Sequence, residues 1–172
     1  MNVKIEYEIG IKLGIALGFI VVVIGIIRYT TGMIFNEDQR LSYLYWVIFF
    51  IANLVAVLLL KNLSENRFLL IHVLKVGMII GLISSFMYLI YLIILNYMIN
   101  PELSDQLLEV SKQKLLNGNL ELTTNQIKEL NMKKKSSNPI VRGTIYMFIS
   151  TILGIIYSGI GGVILKVKRN NK

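Results

Sequence analysis

The chain of 172 residues has no cysteine and a single histidine, His72. The first absence excludes a disulfide, a thiolate nucleophile and any cysteine-based metal site. The second leaves too few nitrogen ligands for a metal-dependent membrane hydrolase. Acidic residues are also scarce, ten against eighteen Lys and Arg. None lies within the uncharged runs Leu13–Ile27, Leu41–Leu60, Val76–Asn100 and Gly143–Leu165, so these lack the usual proton or cation carrier of coupled transport. No complete catalytic, cofactor or metal site is expected, and the chain does not read as an enzyme.

What the sequence does have is apolar length. Hydrophobic residues make up 55% and charged residues 16%, with the charges placed between apolar runs rather than within them. At about 1.5 Å per residue, a helix needs about 20 residues to cross a hydrocarbon core of about 30 Å. Four spans satisfy this, at about 9–28, 41–60, 70–99 and 140–165; the first requires Lys12 to snorkel towards the headgroups. A soluble helical bundle would show charged faces at a period of 3.6 residues. These runs are apolar all round. The fold class expected is therefore all-α: a four-span transmembrane helical bundle forming one membrane domain over 1–172. A cleaved leader is not expected, because Arg28 and Tyr29 directly follow the first run.

Three spans carry small residues at every fourth position: Gly10, Gly14 and Gly18; Gly77, Gly81 and Ser85; Ser150, Gly154, Ser158 and Gly162. Each set falls on one helix face. Between helices in lipid, such stripes let backbones approach closely and pack. A second regularity links the first and third spans. Ile11, Lys12, Leu13, Gly14 and Gly18, Phe19, Ile20 match Leu74, Lys75, Val76, Gly77 and Gly81, Leu82, Ile83. This suggests two parallel hairpin repeats, against chance similarity between apolar segments.

The connections differ. Arg28–Arg40 is polar, apart from Met33, Ile34 and Phe35, which can dip into the interface. Lys61–Arg67 is brief and suggests that spans two and three form a tight hairpin. The segment at about 101–138 is too long for a structureless turn and reads as a short amphipathic two-helix insert. Asn100 can cap its first helix, Pro101 suits the first turn, and Leu103, Leu107, Val110 and Lys114 share a face up to Asn117 and Gly118. Thr123 and Gln126 form a capping box for the second, with Ile127 and Leu130 inward and Lys133, Lys134 and Lys135 behind. Such a pair packs on the bundle or lies on the bilayer surface.

The formal charge of +8 does not indicate nucleic acid, because the basic residues flank spans instead of forming one stripe. Lipid headgroups are the simpler partner. The eighteen Lys and Arg divide evenly between the two membrane faces. Those on the side of the termini cluster at span ends, where orientation is set most strongly. Both termini are therefore placed in the cytosol and the insert outside.

Polar residues within the spans are few. Lys12, His72 and Lys75 read as interfacial, because neither His72 nor Lys75 has an acidic residue in its own span. Asn53, Ser84, Ser85 and Ser158 lie about 12–15 Å from the same face by helical rise. They form a candidate polar waist, either as interhelical hydrogen bonds or as a site for a small solute. Tyr43, Tyr45, Trp46, Tyr88, Tyr91, Asn96 and Tyr97 read as an interfacial belt on the opposite side.

On these residues the chain resembles the bacterial membrane proteins of domain-of-unknown-function family 4199 (DUF4199). The resemblance is strongest from Leu74 to Leu165: the Lys75, Gly77, Gly81 opening, the Asn100, Pro101, Glu102 exit, the Leu-rich insert closing at Asn138 and Pro139, and the Gly-rich last span. It implies a multi-pass protein of the bacterial inner membrane, with no assigned reaction and no catalytic residue to carry over. The function expected is a small structural or regulatory scaffold or accessory subunit, with lipid, a homo-oligomer or a membrane protein as partner and no cofactor. The alternative is a transporter or channel subunit built around the polar waist.

Overall fold

The computed structural model describes residues 3–36, 39–63, 70–116, 128, 131, 132, 134 and 138–170. Among the described residues, five helices have defined bounds: α1 (Val3–Thr30), α2 (Arg40–Leu63), α3 (Leu70–Ile94, continued by a π turn at Leu95–Ile99), α4 (Leu103–Leu116) and α5 (Pro139–Asn170). No strand occurs among the described residues. Four stretches are long and apolar enough to cross a membrane: Ile5–Thr30, Arg40–Leu63, Leu70–Ile99 and Pro139–Leu165. The first begins earlier than apolar length alone places it and so takes in Glu6 and Glu8. Outward-facing residues include Phe19, Phe86 and Phe148, with exposures of 61%, 54% and 66%. A skin of large apolar side chains around the whole bundle suits lipid as solvent and not water.

Close contacts give the directions of the four long helices. Gly10 faces Ile79, Gly14 faces Ile83 and Gly18 faces Met87, so α1 and α3 run parallel. Gly77 faces Gly154 and Gly81 faces Ser150, so α3 and α5 run antiparallel. Asn53 bonds Ser158 and Gly161 faces Leu54 and Val57, so α2 and α5 run parallel. The helices form a ring in the order α1, α3, α5, α2, and α2 and α3 meet only sparsely across it. The tight hairpin expected of α2 and α3 is thus corrected. Their connection is short, but the two packing faces of α3 are taken by α1 and α5.

The directions suit two parallel hairpins, yet the string shared by α1 and α3 serves two different seams. In α1 the glycines are holes for Ile79, Ile83 and Met87, whereas in α3 they lie against the glycine and serine stripe of α5. The core between the four helices holds Leu17, Phe49, Ala56, Val57, Val73, Val76 and Ile80.

The ends are set by local chemistry. The Asn138 side-chain oxygen accepts the Ile140 and Val141 amides at 2.9 and 3.4 Å, and Pro139 follows it as the first residue of α5. Asn100 does not act as the expected side-chain cap: its amide donates to Gln106 at 3.1 Å, while its backbone N–H closes the π turn onto Leu95. Helix α4 docks on the bundle through Leu103 and Leu107, which meet Tyr91, Leu92, Leu95, Ile34 and Phe35. The Ser104 hydroxyl donates to Asn96 at 3.1 Å. The second insert helix expected at Thr123, with Gln126, Ile127, Leu130, Lys133 and Lys135, lies outside the described residues, as do Asn117 and Gly118.

Candidate functional site

All ten small residues expected to pack are buried: Gly10, Gly14, Gly18, Gly77, Gly81, Ser85, Ser150, Gly154, Ser158 and Gly162. The seam between α3 and α5 is the tightest, because small residues oppose small residues there. A Cβ on Gly77 would sit on the carbonyl oxygen of Gly154, and one on Gly81 would lie 2.6 Å from that of Ser150. Neither obstacle can rotate away, since both are backbone.

Of the candidate waist, the structure brings two residues together. The Ser158 hydroxyl donates to the Asn53 side-chain oxygen at 2.9 Å, and the Asn53 amide donates to the Phe49 carbonyl at 2.8 Å. Both residues are fully buried. Ser84 and Ser85 turn instead to their own helix. Ser85 donates to the carbonyl oxygens of Gly81 and Leu82 at 2.5 and 3.1 Å, and Ser84 approaches Gly81 at 3.3 Å. Buried serine commonly satisfies itself in this way in lipid, where no water competes. Ser158→Ala is expected to lower stability by about 0.6–2 kcal/mol, the range for interhelical hydrogen bonds in membranes, measured as a shift of thermal unfolding in detergent. An unchanged melting temperature would mean that the Asn53 side-chain oxygen finds an equal donor elsewhere.

A pair that sequence reasoning missed lies at the end of the bundle that holds the N-termini of α1 and α3. The Glu6 carboxyl group, only 1% exposed, lies against Nδ1 of His72. His72 stays at the end of its span, and the acidic residue that meets it comes from α1 and not from its own span. A signal was present. Glu6 stands four residues before Gly10, and His72 seven before Ile79, which faces Gly10. Both therefore continue the faces on which α1 and α3 meet. The first turn of a helix also favours a carboxylate through its dipole. Lys12, by contrast, is exposed and bonds Glu8 at 2.6 Å along the outer face of α1. Lys75 is exposed as well.

The expected belt divides. Tyr43 and Tyr97 are 65% and 57% exposed, as belt residues should be, but Tyr45, Tyr91 and Asn96 are buried. Tyr45, Trp46, Tyr88 and Tyr146 form an interior aromatic group in which Tyr146 lies 4.6, 5.6 and 6.4 Å from the rings of Tyr88, Trp46 and Tyr45. At the far end the Arg28 guanidinium donates to the Ser42 hydroxyl at 2.9 Å, tying α1 to α2. No cluster of three or more His, Asp or Glu suited to a metal occurs among the described residues.

The family model described as Protein of unknown function (DUF4199) matches residues 12–167. No curated protein and no solved structure matches the chain.

Proposed function

Since the chain belongs to the DUF4199 family and has four helices fit to span a bilayer, we propose that it is a small structural or regulatory membrane subunit, a scaffold or accessory protein without catalysis of its own. It resides in a bacterial inner membrane with both termini cytosolic. Its partners are lipid and either a second copy or another membrane protein.

One observation carries this reading: the interior polar groups expected to form a waist are spent on packing. The Ser158 hydroxyl bonds the Asn53 side-chain oxygen beside the backbone-to-backbone seam of α3 and α5, so these polar atoms hold helices together. A scaffold needs such rigidity, whereas a carrier needs its helices to part. Transport is the second reading, favoured by the buried, unpartnered hydroxyls of Tyr45 on α2 and of Tyr146 and Ser150 on α5.

Native mass measurement of the full chain extracted in mild detergent tests the proposal. A defined oligomer, or one co-purifying protein at fixed stoichiometry, is the expected result; a monomer alone would count against it. Orientation is tested separately, because the chain has no native cysteine. Glu65→Cys is expected to be shielded from an impermeant reagent added outside the cell, and Leu120→Cys to react. The reverse pattern would invert the topology.

A further inference from the structure

The hydroxyls of Tyr45, Tyr146 and Ser150 are buried and have no hydrogen-bond partner in the protein. They come from two helices and converge on one place. The rings of Tyr45 and Tyr146 lie 6.4 Å apart, Ser150 follows Tyr146 by one helical turn, and the Ser150 backbone faces Gly81, one turn before Ser84. Tyr45 is 2% exposed, and Ser84 and Ser150 are fully buried. Ser84 uses its hydrogen on Gly81, which leaves its oxygen free to accept.

Four hydroxyls gathered in an apolar interior call for a reason. Phenylalanine and alanine would fill the same space without a polar atom to satisfy, and hydrocarbon offers neither donor nor acceptor. Direct bonding among the four does not supply the reason, since the Tyr45, Tyr146 and Ser150 hydroxyls have no hydrogen-bond partner in the protein. A bridging molecule would. It has to be small, because the seam of Gly81 and Ser150 closes one side and the rings of Tyr88 and Tyr146, tilted against each other at 4.6 Å, close another. It also has to donate and accept about three hydrogen bonds, as buried water does.

We infer that Tyr45, Tyr146 and Ser150, with Ser84, form a water-binding site between α2, α3 and α5. The site lies apart from the Asn53–Ser158 bond and does not depend on the scaffold function. It places the wet spot of the membrane interior on the tyrosine hydroxyls, towards the insert side of the Asn53 level.

Infrared spectroscopy of the full chain in lipid films, prepared in H2O and in H2-18O, tests the site. Hydroxyl oxygens of tyrosine and serine do not exchange with solvent, so an O–H stretch that moves with the isotope belongs to water. Tyr45→Phe keeps the ring packing, and Ser150→Ala serves as a second variant; helix content by circular dichroism checks that both fold. The expected result is an isotope-sensitive band in the wild-type protein that is lost or displaced in both variants. Absence of the band, or a band identical in the wild type and both variants, overturns the proposal.

Discussion

Alanine at Gly77 is expected to unseat α5 from α3, with a far larger fall in thermal stability than alanine at Gly159. The added methyl group at Gly77 would occupy the position of the Gly154 carbonyl oxygen and crowd the Ser158 hydroxyl. Moving it aside means moving a helix backbone, and with it the Asn53–Ser158 bond and the Gly81–Ser150 contact. The cost should exceed the about 1–3 kcal/mol of ordinary overpacking, despite the gain of about 1 kcal/mol in helix propensity that alanine brings over glycine. At Gly159 the same methyl meets only the end of the Leu74 side chain, at 3.2 Å, which can turn away. Propensity then decides, and Gly159→Ala should be neutral or mildly stabilising. The single tryptophan, Trp46, lies against Tyr146 of α5, so its fluorescence during heating reports on the seam directly. Equal melting temperatures for the two variants would show that α3 and α5 do not approach as closely as described.

The second large effect is expected at the Glu6–His72 pair, and it should be unequal between the partners. His72→Leu leaves the buried Glu6 carboxyl group without the partner it meets, at a cost of about 1–3 kcal/mol for an unsatisfied buried polar group. Glu6→Gln leaves an amide that can still hydrogen-bond and a histidine that is partly exposed, so its cost should be smaller. Replacing both polar groups together, as Glu6→Leu with His72→Leu, should recover most of the loss, because well-packed apolar replacements of a buried pair are often neutral or stabilising. Thermal unfolding of the double variant beside Glu6→Leu alone and His72→Leu alone forms the test of coupling. If the double substitution is as damaging as the sum of the single ones, the two residues do not act as a pair.

The spans were legible because apolar length is a one-dimensional property: about twenty residues without charge suffice, whatever surrounds them. The small-residue ladders were legible for a similar reason, since a period of four places Gly77, Gly81 and Ser85 on one face before any partner is known. Which partner that face meets is a different matter. Gly14 and Gly77 stand at equivalent points of a shared string, yet one receives Ile83 and the other lies on Gly154. Periodicity fixes the direction of a face within its helix and carries no information about which neighbour stands there.

The same limit explains the candidate sites. Asn53 and Ser158 could be placed at a similar depth by counting residues from the lysines, and the structure joins them. Ser84 and Ser85 passed the same test of depth but bond their own helix, because depth says nothing of rotation about the axis. Tyr45 looks like a belt residue by position, although its spacing of four from Phe49 and eight from Asn53 already set it on the buried face of α2. Glu6 escaped notice because attention to uncharged runs begins after it, while its register with Gly10 pointed inward.

The sequence by itself determined an all-helical chain of four candidate spans, the faces that pack, and the absence of cysteine chemistry, since these follow from length, period and composition. Only the tertiary structure decided the ring order of the helices, the pairing of Glu6 with His72, and the gathering of Tyr45, Tyr146 and Ser150. Each of these depends on how helices far apart in the chain are rotated and aligned against one another. That arrangement is set by the summed fit of many side chains, which no single segment encodes.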